Sequence, residues 1–436
     1  MSAGHDEAVS DAAVLDALVA AEVGLVRALA AVGAAPADIA DEVSGALGWI
    51  DRGSGCRGHG LQPAALAAAA VGAGNPVVPL VALLKERVPP RTREWVHRGA
   101  TSQDILDNAL LLVCLGAAGR VLADLERADA ALTAFAETNR DVVAAARTLT
   151  QHAVPTTVGA RAAAWVRGIR RAIDRLAAAR GELPVQLGGA AGTLAAFVAD
   201  LGTARAAALP AAYAVELGLR PADDPWHTTR WPVTELGDAL VQAIDALGVL
   251  ATDIATLGRT EIGELAEASG GGSSAMPQKA NPVASVLIRS AALRAPQLGA
   301  TLHLAAALAG DERPDGAWHA EWPTLREALR LALGAAAHGA TLAEGLRVDR
   351  DAVARNLALT SGLIVSERLG IALIPLIGRE RFAALIREAA GGADLGDLVR
   401  GLDEAGGLDI DDLLDPAAYT GLAGFAVDRL AGEGRP

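Results

Sequence analysis

VTELGDALVQAIDALGVLATDIATLGRTEIGELA, Val233 to Ala266, sets Leu236, Leu240, Ile244, Leu247 and Ile254 at helical spacing. The pattern predicts one long helix across the whole stretch. Working outward, the same reading predicts helices over Ile105–Thr138, Val158–Arg180, Pro282–Ala309 and Thr324–Leu346, and little reads as strand. An all-α fold built on a central long-helix bundle follows. Several of these segments exceed the ordinary helix length of about 11 to 12 residues. Long helices this rich in Ala and Leu imply burial against other subunits as well as each other.

The bundle divides the chain into three expected domains. Residues 1–104 form an N-terminal helical domain of short helices, separated by turns such as DRGSGCRGHG, Asp51 to Gly60. Residues 105–350 form the central helical bundle. Residues 351–436 form a small C-terminal helical domain, with a break at Gly391 and Gly392 and a solvated acidic run, DEAGGLDIDDLLD.

At 436 residues the chain can bury a large core. The formal charge of −14 argues against nucleic acid or an anionic membrane as partner, so an anionic substrate must meet a local cluster of cations. The two cysteines, Cys56 and Cys114, have neither metal nor redox spacing and read as small buried apolar residues. The acidic, polar start MSAGHDEAVSD lacks the pattern of a secretory leader. An uncharged run from Gly60 to Leu84 is broken by Gly72, Gly74, Asn75, Pro76 and Pro79, which argues against a membrane span. A cytoplasmic location is expected.

Three polar islands interrupt the apolar scaffold. They are HRGATSQD (His97 to Asp104), RTLTQHAVPTTVG (Arg147 to Gly159) and GGGSSAMPQKANP (Gly270 to Pro282). Each is rich in hydroxyls, amides or histidine, groups that hold a carboxylate without a metal. No Asp, His and Cys cluster has metal spacing, and no glycine-rich loop follows a strand, so neither metal nor nucleotide cofactor is implied. Lys279 is one of only two lysines in a chain that otherwise uses arginine, the other being Lys85. A compact ammonium can sit as a point charge beside one oxygen, where a planar guanidinium demands a wider geometry. Thr101 and Ser102 could equally cap the helix that follows them, and His227 and His319 could equally be packing residues with a polar tip.

GSSAMPQKANP, Gly272 to Pro282, resembles the signature loop of the superfamily of class II fumarases, aspartases, argininosuccinate lyases and adenylosuccinate lyases. The other two islands resemble its remaining active-site regions, in the same order. The resemblance runs from about Asn75 to Arg368. It implies a homotetramer of all-helical subunits, with each active site assembled from three of them. It also implies a small polycarboxylate substrate that loses a proton beside one carboxylate and passes through an aci-carboxylate intermediate. Ser273 is then the base, activated near Lys279 and the backbone N–H groups of the loop. Lys279 and Asn281 hold the carboxylate as it gains charge, and Ser274 and Met276 line the substrate. Thr101, Ser102, Gln103 and Gln151 match carboxylate-binding positions. His152 is a further catalytic candidate, and His97 and Arg230 are candidates for holding remaining substrate charge.

Two departures narrow the chemistry. Leu149 stands where the superfamily's fumarases and amino-acid lyases place a histidine, and Val286 stands where they place that histidine's glutamate partner. An amine or hydroxide leaves as a strong base and needs general-acid help, whereas a carboxylate, with a reference pKa of about 4, departs or attacks as a stable anion. The bacterial 3-carboxy-cis,cis-muconate cycloisomerases share this relief, and the chain is similar to them in HRGATSQDILDNAL, RTLTQHAVPTT, PWHTTR (Pro225 to Arg230) and ERPDGAWHAEW (Glu312 to Trp322). Closure of 3-carboxy-cis,cis-muconate to 4-carboxymuconolactone, in protocatechuate breakdown, is therefore the expected activity. A lyase with another weakly basic leaving group, such as nitrite from nitrosuccinate, fits the same two residues. An adenylosuccinate-type lyase is suggested by Ser366 and Arg368, and a noncatalytic crystallin-like member is the remaining alternative.

Overall fold

The computed structural model describes residues 2–268, 271, 276 and 279–432. Long helices dominate it: Ser102–Thr138, Val158–Gly181, Trp231–Leu257, Val283–Ala307 and Gly316–Glu344. The all-α expectation holds, and the first, second and fourth of these boundaries lie close to those read from the sequence. Two compact units emerge from the contacts. One comprises Met1–Asp124, Ala172–Asp245 and Ser290–Ala337; the other comprises Leu125–Arg171, Ala246–Arg289 and His338–Pro436. Both are discontinuous in sequence, unlike the consecutive three-part division expected from composition.

Small residues set the helix packing inside each unit. A Cβ on Gly237 would lie 2.5 Å from Leu302, and one on Gly339 would lie 2.5 Å from Leu247. Bare backbone at these two positions lets neighbouring helices approach closely enough for Leu and Ala to interdigitate. By length and composition the Ser102–Thr138 and Trp231–Leu257 helices could cross a membrane, but much of the first and half of the second are buried within the chain's own fold. Both cysteines are buried, and burial pushes the Cys56 thiol up to about 12, which suits an inert packing residue.

The long helix expected over Val233–Ala266 ends instead at Leu257. Gly258 donates to Ile254 O, and the chain then folds back so that Glu264 N donates to Leu257 O at 2.9 Å. Leu265–Ala266 goes on to pair with Arg347–Val348 as a short antiparallel bridge. The second correction concerns Val143–Thr148 and Gln151–Thr157, which form an antiparallel hairpin through the second polar island. Its two turn residues, Leu149 and Thr150, have φ of 49° and 72°. A two-residue turn with both central residues in this region matches the right-handed twist of the strands.

Candidate active site

The first island lies in the first compact unit, where it starts the Ser102–Thr138 helix. Asp104, in that helix's first turn, accepts from Thr101 N at 3.0 Å and so closes the helix start. The same buried carboxylate accepts from Gly188 N at 2.8 Å and Gly189 N at 3.0 Å, and lies 2.9 Å from His227 Nε2. One side chain thus fixes the island's loop, a second loop and a histidine together.

One turn further on, Asp107 organises a second buried centre. Arg230 donates to it through Nη1 at 2.7 Å and Nη2 at 3.1 Å, and reaches Glu321 Oε2 through Nη2 at 2.6 Å. Trp318 Nε1 and Gln103 Nε2 also donate to Asp107, at 2.9 Å and 3.2 Å. Burial opposes the Arg230 charge, but the two carboxylates outweigh it and raise its pKa above the usual arginine value. Burial raises the Glu321 pKa, with Arg230 pulling the other way.

This geometry corrects two expectations. Gln103 and Arg230, assigned to substrate carboxylates, are buried against the protein's own carboxylates. The structure brings them together through Asp107 as a scaffold beneath the island. Thr101 and Ser102 are half-buried at the helix start, where the Asp104 carboxylate supplies the cap by accepting from Thr101 N. His97 is half-buried, with φ of 61° and Nδ1 2.7 Å from Glu22 Oε1. His227 is a buried structural residue held by Asp104, while His319 is exposed, its ring nitrogens facing Asp315 O and Gly74 O.

The other two islands lie in the second unit. Leu149 is 96% exposed at the hairpin tip, flanked by exposed Thr148, Thr150 and Gln151. His152 is half-buried; desolvation first, and Arg147 second, lower its pKa, with Glu264 pulling the other way. Arg147 is held away from the tip by Glu264, which accepts its Nη2 at 2.5 Å and its Nη1 at 3.1 Å. Asn356 Nδ2 adds a third bond to Glu264, at 2.9 Å.

Ser273 and Ser274 lie outside the described residues. The neck of their loop is defined by Gly271 and Asn281, whose backbones exchange N–H···O bonds of 2.9 and 3.0 Å. Glu267 secures the chain just before this neck. Its carboxylate accepts from Ala284 N, Ser285 N and Ser285 Oγ at 3.1, 2.9 and 2.6 Å, placing negative charge at the N-terminus of the Val283–Ala307 helix. Lys279 and Met276 are exposed, Asn281 is half-buried, and Val286 is exposed in the first turn of that helix. Among the described residues, no hydrogen bond links Leu149, Thr150, Gln151 or His152 to Lys279 or Asn281.

Glu22, Asp104, Asp107, Asn108, Gln186 and Glu321 went unassigned in the sequence reading. A signal existed for three of them: TSQDILDN places Asp104, Asp107 and Asn108 three and four residues apart, on one face of an otherwise apolar helix. Asn108 uses that face to bond Gln186 O and N, at 2.7 and 2.9 Å.

Comparison with known proteins bears on the family. A family model described as lyase matches residues 5–296. The chain is 45% identical to nitrosuccinate lyase of Streptomyces davaonensis, over 98% of this chain and 92% of that one. It is 39% identical to 3-carboxy-cis,cis-muconate cycloisomerase of Pseudomonas aeruginosa, over 99% and 95%. Among solved structures, the 3-carboxy-cis,cis-muconate lactonizing enzyme of Pseudomonas putida superposes with a TM-score of 0.87 at 34% identity, over 97% and 95% of the two chains. A class II fumarase from Schistosoma mansoni, at 19% identity and a TM-score of 0.72 over 94% and 90%, shares the fold. With its helical scaffold, signature loop and full-length relatives in agreement, this chain belongs to the lyase family of the fumarase superfamily.

Proposed function

We propose that the protein eliminates nitrite from nitrosuccinate to give fumarate. The observation that carries this reading is the 45% identity to nitrosuccinate lyase over nearly the full chain, and Leu149, 96% exposed at the hairpin tip where relatives that expel strong bases place a histidine, is compatible with it. Val286, half-exposed at the start of its helix, stands where that histidine's glutamate would be. Nitrite, like a carboxylate, departs as a stable anion, so neither residue need supply a proton.

In the proposed reaction, the Ser273 oxygen takes the proton from the methylene carbon beside one carboxylate. Lys279 and Asn281 hold that carboxylate as it becomes the dianionic aci form. Its electrons then form the carbon–carbon double bond as the C–N bond breaks, and nitrite leaves with the bond's electron pair. The proton passes from Ser273 to solvent. Thr101, Ser102 and Gln151 bind the second carboxylate. Exposed Leu293 and Leu304 on the Val283–Ala307 helix support packing against further subunits, which would complete each site from three chains.

A second reading is closure of 3-carboxy-cis,cis-muconate to its lactone, favoured by the 39% identity over nearly the full chain. The greater identity to nitrosuccinate lyase supports putting elimination first, the reverse of the order expected from the motifs. An adenylosuccinate substrate is disfavoured at Arg368, whose Nη2 lies 2.6 Å from Asp412 Oδ2 and whose Nη1 bonds Asp412 O. A carboxylate is a poor neighbour for a phosphate. The test supplies purified protein with nitrosuccinate and measures nitrite and fumarate in equal amounts, then repeats the assay with carboxymuconate by absorbance. Turnover of carboxymuconate alone would replace the first reading by the second.

A further inference from the structure

Glu22 is an unusual residue for its place. It lies in the Asp11–Ala31 helix between Ala21 and Val23, both fully buried, and is itself only 1% exposed. One carboxylate oxygen, Oε1, lies 2.7 Å from His97 Nδ1; the other, Oε2, is buried without a hydrogen-bond partner. An acidic group in an apolar interior is costly unless paired, and here the histidine is its hydrogen-bonded partner. His97 opens the first polar island, keeps a side-chain exposure of 21%, and has a backbone φ of 61°, in the left-handed region that histidine visits more readily than most residues.

We propose that Glu22 is a positioning residue that holds His97 as a cation, so that its remaining ring nitrogen grips a substrate carboxylate. With Nδ1–H donated to Glu22, Nε2 is the nitrogen left for substrate, and a proton there turns it into a charge-assisted donor. This inference rests on the polycarboxylate site read above. The groups that bear on the His97 charge are Glu22 and Asp104, which favour it, and Lys85, which opposes it. Burial is the largest influence and acts against the charge, yet the balance leaves the His97 pKa above its ordinary value. The pair differs from the missing relay at Leu149 and Val286, because it favours positive charge for binding rather than supplying a proton for the leaving group.

The experiment uses the full-length protein with isotope-labelled histidine and compares wild type, Glu22→Gln, His97→Gln and the double variant. Glutamine keeps the volume of Glu22 and an oxygen acceptor for Nδ1 while removing the charge. His97→Gln identifies the His97 resonance by its loss. Glu22→Gln should lower the His97 titration midpoint by about one pH unit or more. Binding of succinate and tricarballylate, followed by calorimetry, should weaken about tenfold near pH 7.5, with the deficit shrinking toward pH 6 as the imidazole protonates unaided. In the His97→Gln background the Glu22 change should cost nothing further. An unchanged midpoint overturns the pairing. A binding loss of equal size in the His97→Gln background overturns the positioning role, leaving Glu22 a structural residue. If Glu22→Gln fails to fold, the wild-type midpoint, assigned through His97→Gln, decides: it must lie above the ordinary histidine value of about 6.5, and a midpoint at or below that value overturns the proposal. Failure to turn over nitrosuccinate or carboxymuconate would count against the proposed reaction alone, since titration and binding are read without catalysis.

Discussion

Arg230 grips Asp107 through both terminal nitrogens, Nη1 to Oδ2 at 2.7 Å and Nη2 to Oδ1 at 3.1 Å, with both side chains about 1% exposed. The pair lies one turn beyond Asp104 and its helix-start bonds, so the integrity of the first island depends on it. Arg230→Met would leave Asp107 and Glu321 buried beside each other without a cation. We expect a stability loss of about 3–5 kcal/mol in denaturant unfolding. Arg230→Lys should recover only part of it, because an ammonium cannot reproduce the two-pronged contact. A loss below about 1 kcal/mol for Arg230→Met would mean that the network adds little to stability.

Glu264 gives a pH-dependent prediction. Burial alone would raise its pKa, but the Arg147 hydrogen bonds, then Asn356 and the nearby Arg147 and Arg161 charges, hold it below the ordinary value of 4.5. A carboxylate depressed in the folded state contributes stability that is present above its unfolded pKa and lost as pH falls through its folded one. Wild type should therefore lose stability steadily below about pH 4.5. Glu264→Gln should be less stable at neutral pH and show a shallower acid limb, and parallel curves would refute the linkage.

Leu149 separates stability from activity. A leucine at φ of 49° carries strain of about 1–2 kcal/mol, whereas asparagine visits this region readily. Leu149→Asn should raise stability by about 1 kcal/mol. The double change Leu149→His with Val286→Glu should give no gain in turnover of either substrate, because a weakly basic leaving group has no use for the restored acid. A rate increase in that double variant would overturn the leaving-group reading.

Ser273→Ala should reduce kcat by about 10²–10⁴-fold with little change in KM, as expected for loss of a base that leaves carboxylate contacts intact. Lys279→Arg should also be impaired despite keeping its charge. Mixing the Ser273→Ala variant with an inactive Thr101→Val variant and allowing subunit exchange should restore part of the activity, since some shared sites would contain neither lesion. No recovery after demonstrated exchange would argue that each site belongs to one chain.

The sequence alone determined the helical class, most boundaries of the long helices, the three polar islands and, through the signature loop, the family. Each is a local property: apolar side chains repeating at helical spacing must face a core, and a motif contiguous in the chain is read without knowing what surrounds it. Its limits lie where distant segments compete. The Trp231–Leu257 helix ends before the apolar pattern does because the chain after Gly258 gains backbone bonds by folding back. The second island is a hairpin because Val143–Thr148 finds its partner strand in Gln151–Thr157, across two turn residues with positive φ. Gln103 and Arg230 looked like ligands for a substrate's carboxylates; Gln103 meets Asp107 one turn away on its own helix, and only the tertiary structure, by bringing Asp107 and Glu321 to Arg230 from positions far apart in sequence, decided that the carboxylates Arg230 holds are the protein's own. A cation or amide has the same chemistry at either place; burial and the partner delivered by the fold decide which anion it meets.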